Sequence, residues 1–410
     1  MSERPSGSDR SSLRHATTGL TEDAGGNDTR LDSDPDWGAG AGARFRAREA
    51  SGRPRENVPA RGFSIASADV ATARDSSPAL DAESDDSVSV IICTYTPARW
   101  ERLVAAVESV CNQTVGPLDV IVVVDGDDEL VRRAQARFSG ARVCANMHER
   151  GLSGGRRTGA ENARGAILAF IDDDAIADAD WLEQLRPAFD DPRVLGAGGL
   201  VEPVWDRPPP RWFPPEFNWV VGCSWAGLPT STSQIRNPIG ANMSVRASVL
   251  ARTGAFDPRL GRARDGDNVT GAAEETEFCI RASAAYPGHY WVYRPASRVR
   301  HTVRPDRATL RYFVRRCRIE GEAKALLVHI TGSDQALRTE REYVRSVLPR
   351  AVVRELRSAA RGNPARLGRA AAIIAGATVT VAAYLWTRLA LRVTGRYGGR
   401  PHARGAWGAG

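Results

Sequence analysis

Three consecutive aspartates, Asp172, Asp173 and Asp174, directly follow the apolar run AILAFI at residues 166–171. Carboxylates this close together repel one another unless positive charge lies among them. Hard divalent cations such as Mg²⁺ and Mn²⁺ bind oxygen ligands, commonly one or two carboxylates together with substrate phosphates. The triplet therefore predicts a Mg²⁺ or Mn²⁺ site or, alternatively, the N-terminal cap of a helix, where Asp is also favoured. We favour the cation site because other aspartates lie nearer the start of the following helix.

The elements that would position these aspartates are visible in the preceding sequence. The β-branched runs VSVIIC, VIVVVD, ARVCA and AILAFI alternate with segments of helical periodicity. This alternation predicts an α/β fold with a mostly parallel sheet and helices on both faces. Ligands bind such sheets at the carboxyl ends of the strands. Thr94 with Tyr95, Asp125 with Gly126, and the aspartate triplet each follow a strand, so we expect them at one rim of the sheet.

Four segments are expected along the chain. Residues 1–86 are rich in Gly, Ser, Asp, Arg and Pro, which predicts a disordered tail. Residues 87–305 would form the α/β domain, although the proline-rich stretch after Gly199 suggests a loop over a pocket or, alternatively, aromatic core packing. Residues 306–365 would form basic helices. Residues 366–410 contain an uncharged run, 370–387, that is either a membrane span or a buried or interfacial helix.

Charge and cysteine content narrow the class of protein. From Arg294 onward the chain has 24 Lys and Arg against 7 Asp and Glu, so this part carries +17 while residues 1–293 carry −10. The basic part favours an anionic phospholipid surface over nucleic acid. The six cysteines are scattered without a CxxC or Cys/His cluster, which argues against a zinc or redox site. No apolar segment lies near the N-terminus, so we expect no secretory signal and expect the body of the protein in the cytosol.

The motifs between Val88 and about Lys324, in their order and spacing, resemble those of the inverting, nucleotide-sugar-dependent glycosyltransferases of family 2. VSVIICTY is similar to the opening strand and donor loop of that family, and VVVDG to its second nucleotide-binding strand end. GLSGGRRTGAENARGAILAFIDDD resembles the segment that leads into the DxD-type motif. EETEFCIRA resembles the helix that carries the catalytic carboxylate. The resemblance implies the GT-A fold, followed here by a C-terminal basic helical region.

The resemblance also implies roles for individual residues. Those expected to bind the donor are Thr94, Tyr95, Asp125, Arg156, Asp172 and Asp173. Asp172 and Asp174, with His301, would hold Mg²⁺ or Mn²⁺. Glu275 would be the general base, with Glu274 adjacent. Each role has a structural alternative, such as a turn for Asp125, a solvated charge for Arg156 or a satisfied structural histidine for His301.

The sequence departs from the family pattern in ways that affect the expected function. The usual Glu-Asp pair is Glu274-Glu275 here, which leaves the identity of the base open. The Gln-x-x-Arg-Trp signature of processive members is missing, which favours single additions. We therefore expect a UDP-, dTDP- or GDP-sugar donor, a lipid-linked or cell-envelope glycan acceptor, and a peripheral or single-span protein at the cytoplasmic face of a membrane. The alternatives are a catalytically degenerate binding or scaffold protein and a nucleotidyltransferase.

Overall fold

The computed structural model describes residues 86–258, 260, 273–332 and 337–394. The tail predicted for residues 1–86 lies outside the described residues except for its last position. The end of the predicted 366–410 segment, from residue 395, also lies outside them.

Nine strands and ten α-helices are found in the described residues. The strands are β1 (Val88–Thr94), β2 (Asp119–Val124), β3 (Arg142–Ala145), β4 (Ile167–Asp172), β5 (Ala175–Ala177), β6 (Val194–Trp205), β7 (Ser233–Ile235), β8 (Asn242–Arg246) and β9 (Tyr290–Val303). The helices are α1 (Trp100–Cys111), α2 (Asp128–Arg137), α3 (Leu152–Asn162), α4 (Trp181–Leu185), α5 (Ala247–Thr253), α6 (Glu274–Ala285), α7 (Leu310–Thr331), α8 (Arg338–Glu342), α9 (Leu348–Ala360) and α10 (Ala365–Thr394). A π-helical turn at Tyr343–Val347 joins α8 to α9.

All nine strands belong to one sheet with the order β3-β2-β1-β4-β8-β6-β9-β5, and β7 pairs with β9. The first half is parallel, since β1 pairs with β2 and β4, and β2 pairs with β3. Antiparallel β8 then joins β4 to β6, and β6 runs parallel to β9. The predicted α/β class and the C-terminal helical region are confirmed. The sheet is mixed, with four parallel and four antiparallel pairings, so the expected mostly parallel arrangement holds only for β1 to β4, which carry the aspartate rim.

Apolar residues of the central strands pack on both faces of the sheet. In β1, Val90 and Ile92 belong to one core cluster and Ile91 to a second, and all three are buried. A continuous apolar run rather than an alternating one is typical of a parallel strand covered on both sides. This is why the VSVIIC run could be placed at the centre of the sheet from its sequence.

The glycine-rich segment before β4 is helical. Helix α3 begins at Leu152. Its glycines lie directly against β1: a Cβ on Gly155 would be 3.2 Å from Sγ of Cys93, and a Cβ on Gly159 would be 2.3 Å from a methyl group of Ile91. Close packing of this helix on the sheet outweighs the low helix propensity of glycine.

The loop expected after Gly199 is instead the continuation of β6 to Trp205. Pro203 pairs with His301 of β9. The pairing of β6 with β8 covers Gly196 to Gly198, so Pro203 lies beyond it, where the missing N–H of proline breaks no ladder. The aromatic residues of the following stretch pack against the core, which favours the core-packing alternative for Trp205, Trp212 and Trp219.

The pairing of β6 with β9 contains a bulge. Gly199 pairs with Arg294, but the next residue, Leu200, pairs with Arg298, so three residues of β9 have no partner on β6. Gly199 lies against the bulged segment, where a Cβ would be 1.8 Å from the carbonyl oxygen of Ser297. The absence of a side chain at Gly199 is therefore what permits the bulge.

Helix α10 packs along α7 through small residues. A Cβ on Gly321 of α7 would lie 2.2 Å from the carbonyl oxygen of Thr380 in α10. On α10, a Cβ on Gly376 would lie 2.5 Å from the ring of Phe217 and 2.9 Å from that of Phe313. At both glycines the backbone lies closer to the neighbouring segment than a residue with a side chain would allow. Helix α10 is therefore packed against the domain along its middle.

We expect Gly321→Ala to destabilise the protein, because the added methyl group forces α7 and α10 apart. Overpacking of this kind typically costs about 1–3 kcal/mol of unfolding free energy. Urea denaturation would measure the change. Gly140→Ala is the matched control, since no atom lies within 4 Å of a Cβ at Gly140. Equal stability of the two variants would contradict the close packing of α10.

Candidate active site

The ends of three strands meet at one rim, as their sequence order predicts. Cys93 of β1 pairs with Asp172 of β4, and Thr94 pairs with Val124 at the end of β2. The backbone N–H of Asp125 donates to the carbonyl oxygen of Thr94 at 2.8 Å. The register of the parallel strands thus brings Thr94, Asp125 and the aspartate triplet to the same edge of the sheet.

Strand β5 brings His301 to the aspartates. After a two-residue turn the chain forms β5, whose Ala175 pairs with His301 of β9. The N–H of Thr302 donates to the carbonyl oxygen of Asp174 at 2.9 Å. As a result, Nε2 of His301 lies 3.1 Å from Oδ1 of Asp174 and 4.0 Å from Oδ2 of Asp172. One ligand atom from each of these three residues lies within 4.8 Å of the other two.

The Asp172–Asp174–His301 group fits a divalent cation. Its donors are two carboxylates and one imidazole, which suit Mn²⁺ and related ions. Oδ2 of Asp174 is buried and makes no hydrogen bond among the described residues. Nδ1 of His301 faces Sγ of Cys223 at 3.7 Å, so Nε2 is the nitrogen that faces the carboxylates. The contact of Nδ1 with Cys223 fixes the orientation of the ring, as is common for ligating histidines.

Two buried arginines that the sequence argument did not identify compensate the triplet. Nη1 of Arg99 lies 2.5 Å from Oδ1 of Asp173 and 3.4 Å from Oδ2 of Asp174. Nη2 of Arg307 lies 3.8 Å from Asp174. Thr94 donates its hydroxyl to Asp173 at 2.7 Å. Arg99 lies five residues after the end of β1. Three adjacent aspartates require positive charge nearby, and this requirement is the signal that could have identified Arg99.

The electrostatics of this cluster follow from its burial and charges. Burial acts to lower the His301 pKa, but the hydrogen bond and charge of Asp174 raise it to about 10. Burial favours neutral Asp174, yet His301 and then Arg99 and Arg307 hold the Asp174 pKa well below its usual range. Burial, opposed by Arg99 and supported by Asp174, raises the Asp173 pKa to about 6. A cation bound at this group would replace the imidazole proton, since ligating histidines are neutral.

The residues that follow β1 and β2 differ in accessibility. Tyr95 is 38% exposed, and the guanidinium of Arg99 lies 5.1 Å from the centre of its ring. Asp125 is buried, and its carboxylate accepts from the side chain of Asn146 and the N–H of Gly151, each at 2.9 Å. The Asp125 side chain therefore anchors the loop between β3 and α3, rather than starting an isolated turn.

Arg156 links the aspartate rim to the acidic start of α6. Its Nη1 lies 3.1 Å from Oε1 of Glu275 and 3.8 Å from Oε1 of Glu274. Burial acts to lower the Arg156 pKa, but the charges of Glu275, Glu274 and Asp172 raise it above its usual value. Arg156 is thus a buried, permanently charged side chain within electrostatic range of both the glutamate pair and Asp172.

The two neighbouring glutamates are placed differently. The Glu274 side chain is 2% exposed, whereas that of Glu275 is 18% exposed. The backbone of Gly240 lies directly over the ion pair, where a Cβ would be 2.0 Å from Oε1 of Glu275 and 2.4 Å from Nη2 of Arg156. Of the pair, Glu275 is the carboxylate that an acceptor could reach.

Comparisons with known proteins agree with this geometry. The sequence model described as "Glycosyl transferase family 2" matches residues 89–254. A glucosyl-dolichyl phosphate glucuronosyltransferase of Haloferax volcanii is 36% identical over 244 residues, which cover 58% of this chain and 77% of that protein. The chain belongs to glycosyltransferase family 2. It is therefore a glycosyltransferase, which decides against the nucleotidyltransferase alternative.

Other similarities are weaker. The succinoglycan biosynthesis protein ExoM of Rhizobium meliloti is 25% identical, over 56% of this chain and 71% of that protein. A mannosyltransferase structure from Pyrobaculum calidifontis, in complex with GDP-Man and Mn²⁺, is 19% identical with a TM-score of 0.47, over 75% of this chain and 87% of that one.

We expect Arg99→Ala to destabilise this family 2 enzyme by about 3–5 kcal/mol, because it leaves a buried carboxylate without its partner. Urea denaturation in the presence of a chelator would measure the loss. Arg102→Ala is the matched control. Arg102 pairs with Asp206 at 2.9 Å, but both side chains are about one-third exposed, and such pairs contribute less than about 1 kcal/mol. Similar small losses in both variants would show that Asp173 and Asp174 do not depend on Arg99.

Proposed function

We propose that this family 2 enzyme is a metal-dependent, inverting, non-processive glycosyltransferase. It would transfer a sugar from a UDP-, dTDP- or GDP-linked donor to a hydroxyl of a lipid-linked or cell-envelope glycan. The observation that carries the proposal is the position of Arg156, which contacts Glu275 at 3.1 Å and lies within electrostatic range of Asp172 of the Asp172–Asp174–His301 group. This arrangement puts a cation-binding group, a fixed positive charge and a reachable carboxylate around one position at the rim.

The carboxylate of Glu275 would act as the general base. It accepts the proton of the acceptor hydroxyl while that oxygen attacks the anomeric carbon of the donor sugar. Glu275 is favoured over Glu274 because it is the more exposed of the two, whereas Glu274 is enclosed beside Arg156. A single displacement of this kind inverts the configuration at the anomeric carbon.

The leaving nucleoside diphosphate would be stabilised on the other side of the sugar. Asp172, Asp174 and His301 would hold Mg²⁺ or Mn²⁺, which neutralises negative charge on a diphosphate when bound. Arg156 would add a fixed guanidinium charge from the second turn of α3. Because Arg156 is buried and paired, its position is set before the donor arrives.

The remaining donor contacts divide into direct and indirect ones. Tyr95 and Asp172 are accessible at the rim and would contact the donor directly. Thr94 and Asp173 are buried and bonded to each other, so they would act by positioning Asp172 and Asp174 on either side of Asp173. Asp125 would shape the nucleotide pocket through the loop that it anchors.

A lipid-linked acceptor at the cytoplasmic face of a membrane would explain the C-terminal part of the chain. Helix α10 has the length and composition of a membrane-associated helix, with a mean hydropathy of 1.6 over its most apolar stretch. The glucuronosyltransferase relative is named for a glucosyl-dolichyl phosphate. Both observations support an acceptor carried by a membrane lipid, without identifying its sugar.

Donor binding should depend on the cation. Calorimetric titration of the full-length protein with UDP-, GDP- and dTDP-sugars should show binding of one donor in Mn²⁺ or Mg²⁺ and much weaker binding in chelator. Asp174→Asn should abolish the effect of the cation, since it removes a charged ligand. Asp178→Asn is the control, because Asp178 pairs with exposed Arg300 instead. A donor affinity that changes neither with the cation nor with substitution of Asp174 would contradict the metal-dependent mechanism.

Removal of the base should affect turnover rather than donor binding. Glu275→Gln should lower kcat about 10²–10⁴-fold, the usual contribution of general base catalysis, while the donor Kd stays the same. Glu277→Gln on the same helix should keep kcat, because Glu277 pairs with Arg281 and lies away from the rim. Product release measured with the acceptor present would report the difference. Full turnover in Glu275→Gln, with loss in Glu274→Gln, would transfer the role to Glu274.

A further inference from the structure

The long apolar helix α10 has two faces with different surroundings. One face packs on the domain, with Ile373, Thr387 and Leu391 buried. The opposite face carries a stripe of exposed apolar side chains, Leu367, Ile374, Val381, Leu385, Trp386, Leu389 and Val393. At 100° per residue these positions fall within a sector of about 140°, on the side away from the buried residues. A helix that is apolar on its exposed face as well as its buried face is typical of contact with lipid.

The charges next to this stripe fit an anionic lipid surface. Helix α10 contains four arginines and no acidic residue. On neighbouring α9, Val353 and Leu356 are exposed on the same side as Arg350 and Arg357. Trp386, 75% exposed, is a residue type enriched at membrane–water interfaces. Two copies of the chain joined through α10 would bring these arginines together without acidic partners on either helix, so we commit to lipid rather than to a second copy.

The contacts of α10 argue against a membrane span. At its middle, Thr380 touches Gly321 of α7. Charged residues of α7 flank that contact, including the ion pair between Arg318 and Glu322 at 2.7 Å and Glu320, which lies 3.2 Å from Lys324. If the middle of α10 lay at the centre of a bilayer, these charges would enter the hydrocarbon region, where they are strongly disfavoured.

The packing of the buried face of α10 agrees with this argument. The length of α10 does not decide the question, since its 30 residues extend about 45 Å at 1.5 Å per residue, which is enough to cross the roughly 30 Å of hydrocarbon in a bilayer. The buried face of α10 would have to leave Phe217 and Phe313, which lie against Gly376, before the helix could cross. A helix lying flat keeps both its apolar stripe and its packing on the domain.

We propose that α10 lies in the plane of an anionic phospholipid surface, with its exposed stripe in the acyl boundary, and does not cross the bilayer. This deepens the proposed function by defining how the enzyme meets a lipid-linked acceptor, and it rests on the membrane location in that proposal, not on the donor chemistry. The arginines add attraction to anionic headgroups, which falls with salt. The domain then remains on one side of the membrane.

Vesicle flotation of the full-length protein tests whether it binds an anionic phospholipid surface. The protein should bind vesicles of phosphatidylcholine with phosphatidylglycerol, and less well in high salt or on phosphatidylcholine alone. Leu385→Glu combined with Leu389→Glu should lower binding about tenfold or more, since two leucines leave the acyl boundary. Leu118→Glu is the matched control, because Leu118 is exposed before β2, away from α10. Circular dichroism and thermal unfolding confirm that each variant is folded.

Probe depth distinguishes a flat helix from a span. Spin labels would be placed singly at Leu367→Cys, Val381→Cys and Leu389→Cys, with the exposed Cys111 replaced by Ser. A flat helix predicts three similar, shallow depths in the same vesicles. A deep label at position 381 between shallow ends would overturn the proposal in favour of a span. Absence of vesicle binding, or a solution dimer that the double glutamate variant dissociates, would also overturn it.

Failure of this inference can be told apart from failure of the proposed function. Hydrolysis of the nucleotide sugar in the absence of vesicles reports the donor site alone. A protein that hydrolyses the donor but ignores vesicles keeps the proposed chemistry and loses the membrane surface. If α10 lies flat on vesicles but the protein neither binds nor hydrolyses any donor, the membrane inference stands and the proposed chemistry is wrong.

Discussion

The structure around the rim depends on the compensation of negative charge by buried positive charge. Asp173 and Asp174 are both buried, and each would be strongly disfavoured as an ion without partners. The partners come from three separate parts of the chain: Arg99 after β1, His301 on β9 and Arg307 before α7. The same charge interactions therefore determine the local electrostatics and bring together segments about 200 residues apart.

A second compensated group extends this arrangement towards the start of α6. Arg156 has its guanidinium beside Glu275 and within range of the charge on Asp172. Small residues make the approach possible, with Gly155 of α3 against Cys93 and Gly240 over the ion pair. Burial raises the Cys93 pKa to about 12, so this thiol remains neutral between the charged groups. Charges held in fixed positions before the substrates bind are what transition-state stabilisation requires.

Much of this organisation could be predicted from local patterns, and the remainder depends on contacts between distant segments. The meeting of Thr94, Asp125 and Asp172 followed from short β-branched runs and the geometry of parallel strands. The ion pair of Arg99 with Asp173 spans 74 residues, and no local pattern indicates it. Pro203 was expected outside the sheet because proline has no N–H to donate to a neighbouring strand. At Pro203, however, β6 pairs only with β9, and its other side has no partner strand whose hydrogen bonds proline would break. Roles such as proton acceptance by Glu275 came from the family resemblance and remain predictions.

The bulge opposite Gly199 has a consequence for how this chain tolerates insertions and deletions. Successive residues of a strand face opposite sides, so the three unpaired residues of β9 change which side every later residue faces. His301 follows the bulge, and its neighbours Arg300 and Thr302 face the other way. Loss of one residue from the bulge would offer the aspartates the hydroxyl of Thr302 in place of the imidazole, and gain of one residue would offer the guanidinium of Arg300. Length variation in this enzyme should therefore be least tolerated at a place that contains no catalytic residue.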